Sequence, residues 1–416
     1  MQPYYSNNIT FPKQFAQYAV GAYFVALLMV SVMHSSYAMH WYWWLFGIIG
    51  VCGFFFGVSS LSRKWSMLRE RTFEKNVFWT AFALRAVMVF ILYWFFNEMT
   101  GKPFMFSAGD SEGYHETALW IAQMMRDGQF SVCWNALLNQ GGISDLGYPL
   151  YVGFVYYLTN DSIIVVRLFK ALFSAFMCVL VYRLSTRNFG EAAGRLAAIF
   201  CMLEPHFIIY CGQHLKETEM LFLLIFFLER ADNLLRSRNF RFWAILPTLL
   251  IMLSLFTFRT VLGVAVCFAF ALALVLSSRR VASLGRRWVM LIVLVLGAGY
   301  FVGGRVATEI EQYWNQRDTN QETRMTVIRK KQGLAQYATK AVFAPMIFTI
   351  PFPTMVESPG QENSRLQHAG FVAKNVLSFF CIMALVLLIF NTDSNTNWRN
   401  HVLLGAYLIS YLAIII

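Results

Sequence analysis

Gly109-Asp110-Ser111-Glu112-Gly113-Tyr114-His115-Glu116 opens the first long hydrophilic loop of the chain, after three apolar spans. It sets three carboxylates, those of Asp110, Glu112 and Glu116, within seven residues. Behind it, Tyr114, Ala118, Ile121, Ala122 and Met125 recur at helical spacing. That spacing predicts an amphipathic helix lying on a membrane surface rather than crossing it. Acids at the start of such a helix sit at its positive end, which favours their charged form. A solvated loop that caps a helix has the same local signature, so the meaning of the stretch depends on what surrounds it.

What surrounds it is membrane-like. Of 416 residues, 58% are hydrophobic, 17% aromatic and only 13% charged, with a mean hydropathy of +0.51. Soluble domains carry about twice that charged fraction. The polar stretch up to Lys13, followed by a long apolar run, predicts a retained first span rather than a cleaved leader. Candidate spans are 15–33, 41–61, 77–97, 162–184, 196–211, 217–230, 242–257, 260–278, 288–303, 371–390 and 401–416. Two apolar patches, 148–158 and 342–353, are too short to cross and carry prolines, so they read as interfacial or re-entrant pieces. The expectation is an all-α polytopic membrane protein, one integral membrane domain over residues 1–416. It would have about 11 transmembrane helices, in a range of about 10–13.

Basic residues set the orientation. Arg63, Lys64, Arg69, Arg71 and Lys75 mark one loop, and Arg183, Arg187 and Arg195 a second. Arg230, Arg236, Arg238 and Arg241 mark a third, and Arg279, Arg280, Arg286 and Arg287 a fourth. These loops alternate correctly with the spans, so all can be cytoplasmic. The formal charge of +12 is then a topology signal, and no basic face for nucleic acid is built. Loop 98–148, the connection 204–216, the turn at Arg259 and the segment 304–370 fall on the other side. Chemistry there has no direct access to cytoplasmic nucleotides.

Several polar residues stand out against this background. Arg85 lies about two turns inside the third span and is expected to snorkel to the cytoplasmic edge. Arg167 and Lys170 share one face near the start of the fourth span, to pair with loop carboxylates or headgroups or to bind an anion. His206 and His214 read as structural, whereas Lys216 and Glu217 open a helix, where Glu217 faces out of the membrane. Arg259, between two apolar helices, needs an anion. Segment 304–340 mixes Arg324, Arg329, Lys330 and Lys331 with Glu309, Glu311, Asp318 and Glu322, as a solvated helix or a cap over the acid loop. Cys133 and Cys211 could meet in a disulfide. No spacing suggests a zinc site or a P-loop, and a divalent metal requirement stays open.

Taken in order, Asp110 to Tyr114, Gly147-Tyr148-Pro149-Leu150, Val166-Arg167-Leu168-Phe169-Lys170-Ala171-Leu172, Asn188-Phe189-Gly190-Glu191-Ala192-Ala193, Leu215-Lys216-Glu217-Thr218-Glu219-Met220-Leu221-Phe222 and Thr257-Phe258-Arg259-Thr260 form a pattern. It resembles the GT-C membrane glycosyltransferases, specifically the bacterial relatives of protein O-mannosyltransferases and lipid A aminoarabinose transferases. The resemblance covers about residues 100–280. It implies a GT-C-like bundle in a bacterial inner membrane, with the first-loop helix on the extracytoplasmic side. The donor would be a polyprenyl-phosphate-linked sugar, the acceptor a lipid, glycan or protein, and transfer would generally invert the anomeric carbon. By match to the family's first-loop acid, Asp110 would be the general base, with Glu217 the acid that opens a later helix. Tyr114, Arg167, Lys170, Lys216 and Arg259 would bind substrate. Thr260 stands where relatives often follow the arginine with proline.

The chemistry is consistent with that expectation. Transfer to a hydroxyl needs a base, and a departing lipid phosphate is stabilised by positive charge. A lipid-linked oligosaccharide polymerase or ligase is the near alternative. A transporter or flippase would place its ionisable groups at the midplane, often in repeated halves. Here the charges gather at one face.

Overall fold

The computed structural model describes residues 10–33, 41–104, 109–139, 146–236, 242–276 and 403–407. Among the described residues every regular element is a helix and no strand occurs. The helices are α1 (Lys13–Met33), α2 (Trp41–Lys64), α3 (Glu70–Thr100), α4 (Gly109–Arg126), α5 (Phe130–Asn139), α6 (Gly147–Thr159), α7 (Ile163–Phe189), α8 (Glu191–Leu203), α9 (Pro205–Cys211), α10 (Glu217–Arg236), α11 (Phe242–Phe258) and α12 (Thr260–Leu276). Two stretches, Glu70–Glu98 in α3 and Ile163–Phe189, are long and apolar enough to cross a membrane, and Ile245–Phe258 and Leu262–Leu274 are shorter apolar helices. The expected spans 288–303 and 371–390, most of 401–416, the patch 342–353, the segment 304–370 and the basic loop at Arg279–Arg287 lie outside the described residues.

Several boundaries follow from local chemistry. The expected span 196–211 is two helices, because Glu204 is held extended (φ −56, ψ 113) ahead of Pro205, which starts α9. A residue before proline is pushed out of the helical region. Between α6 and α7, Asn160 (φ 54) and Asp161 (φ 64) are left-handed, and the Asp161 N–H donates to Tyr156 O at 3.1 Å. Asn and Asp tolerate that region better than other side chains, and the turn fixes where Tyr156 and the start of α7 sit. Gly190 (φ 92) closes α7, its N–H donating to Thr186 O, and α8 follows at once. At Gly194 a Cβ would meet Thr186 Oγ1 and come within 2.9 Å of the Thr186 nitrogen, so the α7–α8 approach requires glycine there.

The described residues fall into two compact units. The first gathers the chain up to Leu119 and Val155–Phe222. In it α7 packs against α3 and α8, with α2 on α1 and α8, and α9 on α3. Along α3, Phe73, Val77, Ala81, Arg85, Val89, Leu92 and Phe96 are buried, while Trp79, Val87, Phe90, Ile91 and Trp94 are exposed. On α7, Arg167, Lys170 and Ser174 are buried, whereas Phe169 and Phe176 are exposed. Both helices thus bury a mostly apolar face that carries a few polar groups, Arg85 on α3 and Arg167, Lys170 and Ser174 on α7, and leave large apolar side chains exposed on the other face.

Arg85 departs from its expected snorkelling position. It is fully buried and donates to Ser174 Oγ (2.7 Å), Cys201 O (3.0 Å) and Met202 O (3.1 Å). Those two carbonyls are among the last four of α8, which have no partner within their own helix. A guanidinium fits there because it also meets the negative end of the helix dipole. Arg195 does similar work, donating to Trp65 O, Ser66 O and Leu68 O in the turn after α2, with its Nε on Glu191 at 2.7 Å.

The second unit holds Trp120–Phe154 and the described residues from Leu223 onward. There α11 packs on α12. Ile121 and Cys133 form a small core with Trp120, Met124, Met125, Leu146 and Leu150. Gly147 lies close to α11, where a Cβ would come within 2.8 Å of Phe258 Cδ2. Cys133, in this unit, and Cys211, in the first, are both free thiols.

Candidate functional site

The acid stretch is itself helical. Asp110 and Glu112 occupy the first turn of α4 rather than a loop ahead of it. Asp110 is exposed, and Glu112 pairs with Lys102 at 3.4 Å across an exposed surface. Such a pair contributes at most about 1 kcal/mol, which leaves both acids accessible. One turn on, the half-buried Tyr114 ring carries the buried Lys216 ammonium 5.7 Å from its centroid. Two residues named from sequence, 102 positions apart, therefore meet.

Arg167 and Lys170 are fully buried. Arg167 donates to Pro103 O, just ahead of α4, and lies 5.9 Å from the Tyr93 ring centroid. Lys170 donates to Gln213 O (2.9 Å) and to Leu215 O, and stands 3.7 Å from the Glu219 carboxylate. The connection between α9 and α10 is wrapped around this one ammonium, which positions Lys216 and Glu217. Glu219, in the first turn of α10, is buried and its oxygens accept no hydrogen bond among the described residues. Glu217 is half-buried. Arg259 is the break between α11 and α12, its N–H donating to Leu255 O, and belongs to the second unit.

Beside Lys170 sits a cluster that sequence reasoning missed. His115 Nδ1 and Tyr156 Oη are 2.8 Å apart. His214 stacks on Tyr156 with ring centroids 6.2 Å apart and stands edge-on to His115 at 5.9 Å. Phe104 closes the group, 5.0 Å from His115 and 5.9 Å from His214. Burial lowers the pKa of His115, against the pull of Asp161, Glu116 and Glu112 and with the push of Arg167. His214 is held well below the ordinary imidazole range by burial, then by Lys170, Arg167 and His115. Both rings are therefore neutral near pH 7. They can exchange hydrogen bonds with a ligand without adding charge beside two cations.

Among the described residues no group of three or more His, Cys, Asp or Glu side chains is arranged to hold a metal ion. Comparison of the chain with protein-family models, with curated proteins and with solved structures finds no match in any of the three.

Proposed function

We propose that the chain is a membrane glycosyltransferase of the GT-C type, transferring a sugar from a polyprenyl-phosphate donor to an acceptor hydroxyl on the extracytoplasmic face. The observation that carries the reading is the contact between Tyr114 and Lys216. It ties the exposed acids at the start of α4 to the 213–219 stretch, whose backbone is held by buried Lys170. Accessible carboxylates beside a cation-rich interior suit a reaction that takes up a proton and releases an anionic leaving group. The large apolar side chains exposed on α3 and α7, with their charged residues Arg85, Arg167 and Lys170 buried, suit helices surrounded by lipid.

In the proposed step, Asp110 takes the proton of the acceptor hydroxyl as its oxygen bonds to the anomeric carbon. The bond from that carbon to the phosphate oxygen breaks, and the lipid phosphate leaves with the electron pair. Arg259 is assigned to the phosphate through the resemblance of Thr257-Phe258-Arg259-Thr260 to its counterpart, where positive charge stabilises the leaving anion. The basic loops face the cytoplasm, placing Asp110, Glu217 and Arg259 outside it.

The test is turnover by purified protein given lipid-linked sugar and acceptor, with donor binding measured in parallel. Asp110→Asn keeps the size and removes the basicity, so turnover should fall by about 10²–10⁴-fold while donor binding survives. Normal turnover by Asp110→Asn, together with loss in Glu217→Gln, would move the base to α10.

A further inference from the structure

Away from the polar cluster, the interior of the first unit holds a pair of thiols to which the proposed reaction gives no role. Cys178 on α7 and Cys201 on α8 have their Sγ atoms 3.6 Å apart, 23 residues apart in sequence. Both are buried, Cys178 fully and Cys201 at 9% exposure. Two small apolar side chains in contact would be ordinary packing, except for their third neighbour. The Arg85 guanidinium donates through Nη2 to Cys178 Sγ at 3.6 Å and to Cys201 O at 3.0 Å. Arg85 makes no ion pair with a carboxylate among the described residues; its other hydrogen bonds go to Ser174 Oγ, Ala81 O and Met202 O, and the Cys211 thiol also lies beside it. A permanently charged group thus rests directly on one sulfur of a contacting pair.

We propose that Cys178 and Cys201 form an oxidisable dithiol, which a small lipid-soluble disulfide closes to a Cys178–Cys201 bond.

The geometry assigns the order of events. Thiol–disulfide exchange puts negative charge on the attacking sulfur, and the guanidinium contacts Cys178, so Cys178 attacks first. After losing its proton, its sulfur bonds to one sulfur of the reagent. The reagent S–S bond breaks, and the first small thiol leaves with the electron pair and takes up a proton. Cys201 then attacks Cys178 of the mixed disulfide, the bond to the reagent breaks, and a second small thiol leaves carrying the proton lost by Cys201. The two protein thiols are oxidised and the one reagent disulfide is reduced to two thiols. Closure draws the sulfurs from 3.6 Å to about 2.05 Å and links α7, which carries Arg167 and Lys170, to α8. The close approach of these helices at Gly194 leaves little slack to oppose it. A reagent reaches this pair through hydrocarbon, so permeant disulfides react and charged ones do not.

The probe is 4,4′-dithiodipyridine, applied to the full chain in its membrane with Cys52, Cys133, Cys211, Cys267 and Cys381 replaced by alanine. Release of two thiopyridones per chain and a 178–201 linked peptide on non-reducing mass spectrometry are the expected results. Cys201→Ser should release one and stop at the mixed disulfide. Cys178→Ser should react about tenfold more slowly than Cys201→Ser, because it has lost the sulfur that the charged donor serves. The linked peptide is also sought in the unsubstituted chain, which removes any dependence on the variants folding. Two thiopyridones without a 178–201 link, or no reaction before denaturation, would overturn the proposal.

Discussion

Two buried cations, Arg85 on α3 and Lys170 on α7, have the same degree of burial and different surroundings. Arg85 spreads its donors over the end of α8, a serine hydroxyl and a thiol, all within the helical interior. Lys170 gathers the carbonyls of an irregular connection and stands against Glu219, whose oxygens accept no hydrogen bond among the described residues. Around Arg85 the carbonyl and hydroxyl acceptors are consumed by the clamp, and only the thiol of Cys178 keeps reactivity of its own. Around Lys170 a carboxylate and two neutral imidazoles retain chemical capacity. Burial alone therefore does not separate a charge that clamps a helix end from one at the proposed site. The state of the partners does.

The sharpest way to break the contrast is to delete the clamp. Arg85→Leu strands Ser174 Oγ, Cys201 O and Met202 O in the interior, each at a cost of about 1–3 kcal/mol. Together these approach the whole stability of a typical domain, about 5–15 kcal/mol. The expected outcome is failure to recover a monodisperse protein in detergent. Arg85→Lys keeps the charge without the fork, so it should recover only partly. Near-native thermal stability in Arg85→Leu would mean that the end of α8 is satisfied some other way.

Lys170 should be the next most costly, and a double-mutant cycle shows why. Lys170→Met releases two carbonyls and leaves Glu219 buried without its cation, a loss on the order of 3–5 kcal/mol. Glu219→Gln leaves the carbonyl bonds intact and removes only the charge, so its effect should be smaller. With Glu219→Gln already present, Lys170→Met should cost less than it does alone, and the difference measures the pair. Additive losses in thermal unfolding would show that the ammonium serves the backbone only.

Most helices were legible because apolar runs and their flanking charges are local properties. The spans expected at 15–33, 41–61, 162–184, 242–257 and 260–278 correspond closely to α1, α2, α7, α11 and α12. The helix behind the acid stretch was legible from its periodicity, although α4 begins with the acids themselves. The division at Pro205 had a signal in the proline, but the hydropathy of 196–211 outweighs it on a span-length scale. Arg85 was misplaced because its partners come from α7 and α8, 89 to 117 residues away. Snorkelling is judged from distance to a helix end, and nothing local reveals that another helix ends at the same depth. The His115–Tyr156 pair joins residues 41 apart. Tyr156 lies in an apolar patch with nothing to mark it, and His115 looks like one more polar residue of the acid stretch.

The smallest expected effect separates the two cation sites by pH. Arg85 does not titrate in an accessible range, whereas the surroundings of Lys170 include His115 and His214, both with pKa lowered from 6.5 by burial. The unfolded chain binds protons on these imidazoles near pH 6.5, and the folded chain resists until lower pH. Their contribution to stability is therefore complete above about pH 6.5 and is lost as pH falls through the lowered folded values. His214 should dominate, since Lys170 and Arg167 oppose its charging in addition to burial. Thermal unfolding followed from pH 7.5 to pH 5.5 in the Glu219→Gln background, which removes the buried carboxyl beside Lys170, should show stability falling on the acid side. His214→Phe keeps a ring to stack on Tyr156 and cannot titrate, so the acid slope should flatten while stability at pH 7.5 changes little. An unchanged slope in His214→Phe would assign the acid sensitivity to carboxylates elsewhere and leave the imidazole cluster as aromatic packing.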